Sequence, residues 1–170
     1  RELAEQLLVL AQRLQDPVQL IEAYRALGNT LFWLGEFAPA REYLEQGIAL
    51  YDTRQHRSHI FLYGYDSGMA CLCFAAEALW PLGYPDQALK RIDEALILAR
   101  ELSQPMGLAF APTFAAWLHQ LRGERQAAQE RAETVIAISA EHGIPFLLAW
   151  GMILRGWALV GQGKVKEGAA

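Results

Sequence analysis

Residues 17–44 read PVQLIEAYRALGNTLFWLGEFAPAREYL, and this stretch decides the fold. Pro17 opens it, Gly35 stands eighteen residues later, and the small residue Ala40 follows five residues after the glycine. Between proline and glycine, Leu20, Tyr24, Leu27 and Leu31 recur at three- and four-residue steps, the period of a helix with one apolar stripe. Proline suits a first helical turn, where its missing N–H has no partner to lose and its φ is already set. Ala40, Leu44 and Ile48 continue the helical period beyond the glycine. The chain must reverse between the two patterns, and Gly35 adopts the left-handed backbone this needs without steric cost. The stretch is a helical hairpin, a helix A and a helix B, with Ala40 small enough to let the two approach.

The same punctuation recurs. Gly83, Gly123 and Gly163 take the place of Gly35, each with a small residue five positions later (Ala88, Ala128, Gly168). Pro105 and Pro145 lie eighteen residues before the last two glycines. The glycines are 48, 40 and 40 residues apart, so the unit is about 40 residues with eight inserted once. Helices are expected near 2–14, 18–34, 37–51, 67–82, 86–102, 106–122, 125–142 and 146–161, with a stub from about 164. This predicts a single all-α domain over 1–170. It begins with a B helix at 2–14, continues through hairpins 18–51, 67–102 and 106–142, and closes on a partial hairpin at 146–170. One hairpin cannot bury its apolar face alone, so the units are expected to stack into a right-handed superhelical solenoid. Pro112, His119 and Arg155 stand where apolar helix-core residues are expected, and Pro112 predicts a kinked or delayed helix A.

Tyr24, Leu27, Gly28, Leu31, Gly35, Phe37, Ala40 and Leu44 resemble the tetratricopeptide repeat signature. Leu72, Ala75, Ala76, Leu79, Gly83, Ala88, Ile92 and Ala95 follow it again. More narrowly, YGYDSG at 63–68 and ALWPLGYPDQA at 78–88 resemble the C-terminal repeat region of bacterial multidomain signalling ATPases and adenylate-cyclase-like regulators. The resemblance implies a sensor or docking arm within a larger bacterial regulator, with the A helices lining a concave side. The chain opens on Arg1 and stops at Gly168-Ala169-Ala170, which reads as a piece of a longer protein.

Composition narrows the function classes. The chain is 53% hydrophobic and 20% charged, with a formal net charge of −4. Its 15 Lys and Arg are scattered, which disfavours nucleic acid, since binding a polyphosphate needs a concentrated basic surface. No run of about 18 apolar residues marks a membrane span. Cys71 and Cys73 are two apart on a helix and point to opposite sides, so neither a disulfide nor a shared metal is expected, and a reducing, cytoplasmic setting fits.

No nucleophile elbow, phosphate loop or dinucleotide fingerprint occurs, so neither catalysis nor a cofactor is expected. His56 and His59, near Asp52 or Asp66, have a spacing that could hold a metal, but a solvated loop is the better reading and no metal is expected. His119 and His142 are isolated. The inserted loop carries Phe61, Tyr63 and Tyr65, at least one of which should fold back over the array.

The candidate groove residues on the A helices are Arg25, Asn29 and Trp33, then Phe74, Glu77 and Trp80, then Phe110, Phe114 and Trp117, then Trp150 and Trp157. Each aromatic has two readings, packing between repeats or exposure to a partner. Arg25 and Asn29 match the start of the carboxylate clamp of chaperone-binding repeat proteins, but Phe110 and Phe114 stand where its later basic residues belong. The reading is therefore an aromatic groove with one polar end, binding a protein or peptide segment or another domain of the parent protein. The alternative is a sensor that stacks a small ligand such as a carbohydrate on the same rings. Apolar end faces also predict end-to-end self-association.

Overall fold

The computed structural model describes residues 1–53 and 62–169. Among these residues the chain is helical throughout: α1 (Glu2–Leu14), α2 (Pro17–Trp33), α3 (Phe37–Leu50), α4 (Ser67–Leu79), α5 (Pro85–Leu102), α6 (Pro105–Leu121), α7 (Arg125–Glu141), α8 (Pro145–Gly161) and α9 (Val165–Gly168). The fold is all-α and solenoid-like, with helices packed on their neighbours in sequence. None of them is long and apolar enough to cross a membrane.

The turns repeat as closely as the sequence does. Gly35, Gly83, Gly123 and Gly163 all take φ between 74° and 84°. After each, the next residue donates its N–H to the carbonyl five positions back: Glu36 to Leu31 at 2.9 Å, Tyr84 to Leu79 at 3.0 Å, Glu124 to His119 at 2.9 Å, and Lys164 to Leu159 at 2.9 Å. This bond satisfies a carbonyl that the end of helix A leaves open. Pro17, Pro105 and Pro145 each begin an A helix. Two residues before each proline the backbone is again left-handed, at Gln15 (φ 51°), Ser103 (φ 52°) and Gly143 (φ 66°). Asp16 and Asp66 cap α2 and α4, accepting from the N–H of Val18 at 3.0 Å and of Met69 at 2.8 Å.

Two expectations need correction. Helix α4 stops at Leu79, short of 82, with Trp80–Leu82 forming the turn instead. Pro112 does not delay its helix, because α6 starts at Pro105 and runs through to Leu121. Proline removes only the N–H that would have bonded the carbonyl of Leu108. Leu108 and Pro112 line a small hollow with Arg131 and Thr134.

The chain divides into two compact units, Arg1–Ala95 and Leu96–Ala170. In the first, Leu27, Leu31, Ala40 and Leu44 are buried between α2 and α3. A Cβ at Gly28 would sit 2.5 Å from Leu44 Cγ, so the glycine sets how closely helix A meets helix B. In the second unit, α6, α7 and α8 each supply one residue to two layers of core: Ala109, Val135 and Leu147, then Ala116, Ala132 and Leu154.

Candidate functional site

The N-terminal unit gathers a polar cluster around Glu22 on α2. Arg25 donates Nε to Glu22 Oε2 at 2.9 Å and Nη2 to Oε1 at 2.6 Å. Tyr65 donates its hydroxyl to Oε1 at 3.0 Å, and Ser67 donates to Oε2 at 2.8 Å. The Arg25 guanidinium lies 5.0 Å over the Tyr65 ring, so Tyr65 does fold back, as a polar anchor rather than an apolar one. Burial works against the Arg25 charge, but hydrogen bonding and attraction from Glu22 outweigh it and raise the pKa. The Tyr65 hydroxyl is pushed up by burial and further by Glu22, against the pull of Arg25. Alongside, Tyr51 donates to Asp66 at 2.7 Å, tying the end of α3 to the cap of α4.

This geometry changes the meaning of Arg25. The carboxylate it grips belongs to Glu22 of the same helix. Arg25, Asn29, Thr30 and Trp33 do share one open hollow, with Arg1 and Leu34 on its rim. Trp33 is 62% exposed there, while its edge meets Phe32 at 5.1 Å.

On α4 the expectation of an open groove gives way to burial. Phe74 is buried, its ring 6.0 Å from Phe32. Glu77 is 1% exposed, and neither carboxylate oxygen has a hydrogen-bond partner. Desolvation raises its pKa well above the ordinary carboxylate value. Trp80 is half-buried at the end of the helix. Cys71 and Cys73 are free and buried, and burial holds both thiols protonated, so neither is an activated nucleophile.

The C-terminal unit holds a continuous tier of rings from its two A helices. Phe110 and Phe114 lie 4.7 Å apart, Phe114 and Trp117 6.0 Å, Phe114 and Trp150 5.6 Å, and Trp117 and Trp150 5.6 Å. Phe114 is buried at the centre, whereas Phe110, Trp117 and Trp150 are half-buried over the core layers and Trp157 is half-buried further along α8. Both readings of the aromatics therefore apply, divided by residue. Phe146, not named from the sequence, extends the tier 5.8 Å from Trp150 and is 71% exposed.

His119 Nδ1 lies 2.6 Å from Glu124, which also accepts from Arg122 at 2.8 Å, and the hydrogen bond from His119 leads in lowering the Glu124 pKa. That trio braces the α6–α7 turn. Among the described residues no group of three His, Cys, Asp or Glu could hold a metal ion. His56, Arg57, His59 and Phe61 lie outside the described residues. The missed members, Tyr65 and Ser67, are 43 and 45 positions from Glu22, beyond the reach of any helical period.

No family model matches the chain, and no curated protein matches its sequence. Among solved structures it is similar to BtubC (BKLC) from P. vanneervenii, with a TM-score of 0.75 and 20% sequence identity. The likeness covers 99% of this chain and 67% of that one. At this identity the shared property is the fold.

Proposed function

We propose that the chain is a non-catalytic protein- or peptide-binding module of tetratricopeptide type, acting as a docking or sensor arm of a larger bacterial regulator. The observation that supports this is the aromatic tier of the C-terminal unit. Phe110, Trp117 and Trp150 rest their inner edges on packed core and turn the remainder outward, beside the largely exposed Phe146. Rings held rigid by packing while half in water are the usual anchors of an interface, since they offer large contact area with little side-chain entropy left to lose. A peptide with apolar side chains spaced along a helix or strand would place them between these rings.

The test is a peptide selection against the full chain, followed by affinity measurements on Phe146→Ala and Trp117→Ala. Selected peptides should carry paired apolar anchors, and each variant should bind at least about tenfold more weakly, the loss typical of a central aromatic contact. Phe146→Ala should keep its melting temperature. Peptides whose affinity ignores both substitutions would refute the reading.

A further inference from the structure

The hollow bounded by the last turns of α5 and by α6 and α7, within the C-terminal unit, joins two kinds of surface. One is apolar: Leu96, Ala99 and Pro112 are buried in its floor, with Leu108 and Ile138 half-buried beside them. The space is about 160 Å³. An aliphatic-walled cavity of about 150 Å³ takes up a single benzene ring, so this one admits a group of that size.

The other surface is cationic. Arg100 on α5 is exposed and Arg131 on α7 is half-buried, so both keep their charged heads on the water side of the apolar floor. Thr134, also on the lining, already donates its hydroxyl to the Glu130 carbonyl at 3.0 Å. No carboxylate lines the hollow. Helical spacing supplies none either, since no Asp or Glu stands three or four residues from Arg100 or Arg131. Glu130 and Glu133, the acids nearest to Arg131 along α7, accept from Gln126 and Gln129 instead. Elsewhere the chain gives its arginines acids of their own: Glu22 for Arg25, Glu45 for Arg91 and Glu124 for Arg122.

Two like charges on one hollow, with no acid on its lining, leave a positive potential that a bound anion relieves. A carboxylate fits the donors, because the planar fork of arginine meets its two oxygens in parallel hydrogen bonds. An apolar group attached to that carboxylate would bury itself on the floor.

We propose that this hollow binds a small carboxylic acid bearing one aryl or short branched aliphatic group, its carboxylate held between Arg100 and Arg131 and its apolar group resting on Leu96, Leu108, Pro112 and Ile138. Leu108 and Pro112 stand two positions, about 200° around α6, from Phe110 and Phe114. The site is therefore separate from the aromatic tier, and the inference does not rest on it.

The experiment is NMR titration of the full chain, methyl-labelled at Leu and Ile, with phenylacetate and in parallel with acetate and phenethylamine. Phenylacetate should move the methyl signals of Leu96, Leu108 and Ile138, with a Kd of about 1 mM or tighter. Acetate lacks the ring and phenethylamine lacks the anion, so each should bind at least about tenfold more weakly. Arg100→Gln and Arg131→Gln should each weaken phenylacetate about tenfold, the loss expected for one hydrogen-bonded charge, and should keep the wild-type melting temperature. Arg100→Gln, at the more exposed position, decides alone should Arg131→Gln melt early. Methyl shifts confined to other parts of the chain, or no binding by about 10 mM phenylacetate, would overturn the proposal. So would phenethylamine binding as tightly as phenylacetate, or a folded arginine variant that keeps full affinity.

Discussion

Glu77 should make the protein less stable as pH rises, and removing its carboxyl should strengthen the fold. The carboxyl is 1% exposed, with both oxygens unpartnered, and desolvation raises its pKa well above the ordinary carboxylate value. The folded state therefore holds a proton that the unfolded chain releases near that value. A group with a raised folded pKa stabilises fully below its unfolded pKa, and that contribution drains away as pH climbs toward the folded one. The slope is about 1.4 kcal/mol per pH unit while the native carboxyl stays protonated and the unfolded one does not. Cys73, the neighbour that feels Glu77, has a thiol pushed up first by burial, so it remains neutral through the same range.

Glu77→Gln abolishes the titration but keeps an unpartnered polar group, whereas Glu77→Leu removes both. At neutral pH the leucine variant should gain about 1–3 kcal/mol from the lost polar burial alone, with the proton term added to it. Urea unfolding of all three proteins from about pH 5 to 8 isolates the effect, because other groups cancel in the difference between wild type and Glu77→Gln. That difference should fall with pH. Parallel curves for wild type and Glu77→Gln, or a Glu77→Leu protein weaker than wild type, would show that the carboxyl is solvated or paired in solution.

Glu22→Ala should cost about 2–4 kcal/mol in denaturant titrations, because it strands a half-buried guanidinium and two hydroxyls at once, while Tyr65→Phe should cost only about 1 kcal/mol. Phe114→Ala should lose about 3–5 kcal/mol of stability by leaving a cavity under the aromatic tier, and Phe146→Ala, largely in water, should stay within about 0.5 kcal/mol. Gly28→Ala should destabilise by about 1–3 kcal/mol, as its methyl would force Leu44 and α3 away from α2. Thermal melts that rank Phe146→Ala with Phe114→Ala would contradict the burial described here.

Much of the fold was legible in the chain's punctuation. A helix ends where its backbone must turn left-handed, and glycine marks that locally, so Gly35, Gly83, Gly123 and Gly163 located four reversals without any tertiary information. Proline at a first turn is equally local, and it placed the starts of α2, α6 and α8 within a residue. Gln15 and Ser103 adopt the same left-handed backbone with ordinary side chains, and nothing in their identity announces it. Helical phase also put Arg25, Glu77, Phe114 and Trp150 on one kind of face. Phase says which side of a helix a residue occupies, but not whether another element covers that side. Only the folded chain decided that Glu77 and Phe114 are buried while Trp33 and Phe146 meet water, and that Arg25 is held by Glu22 with Tyr65 and Ser67 closing over it. Those outcomes depend on contacts between residues far apart in the sequence, such as Glu22 with Tyr65 and Ser67 or Phe114 with Trp150, set by how helices pack rather than by the local sequence that makes them helices.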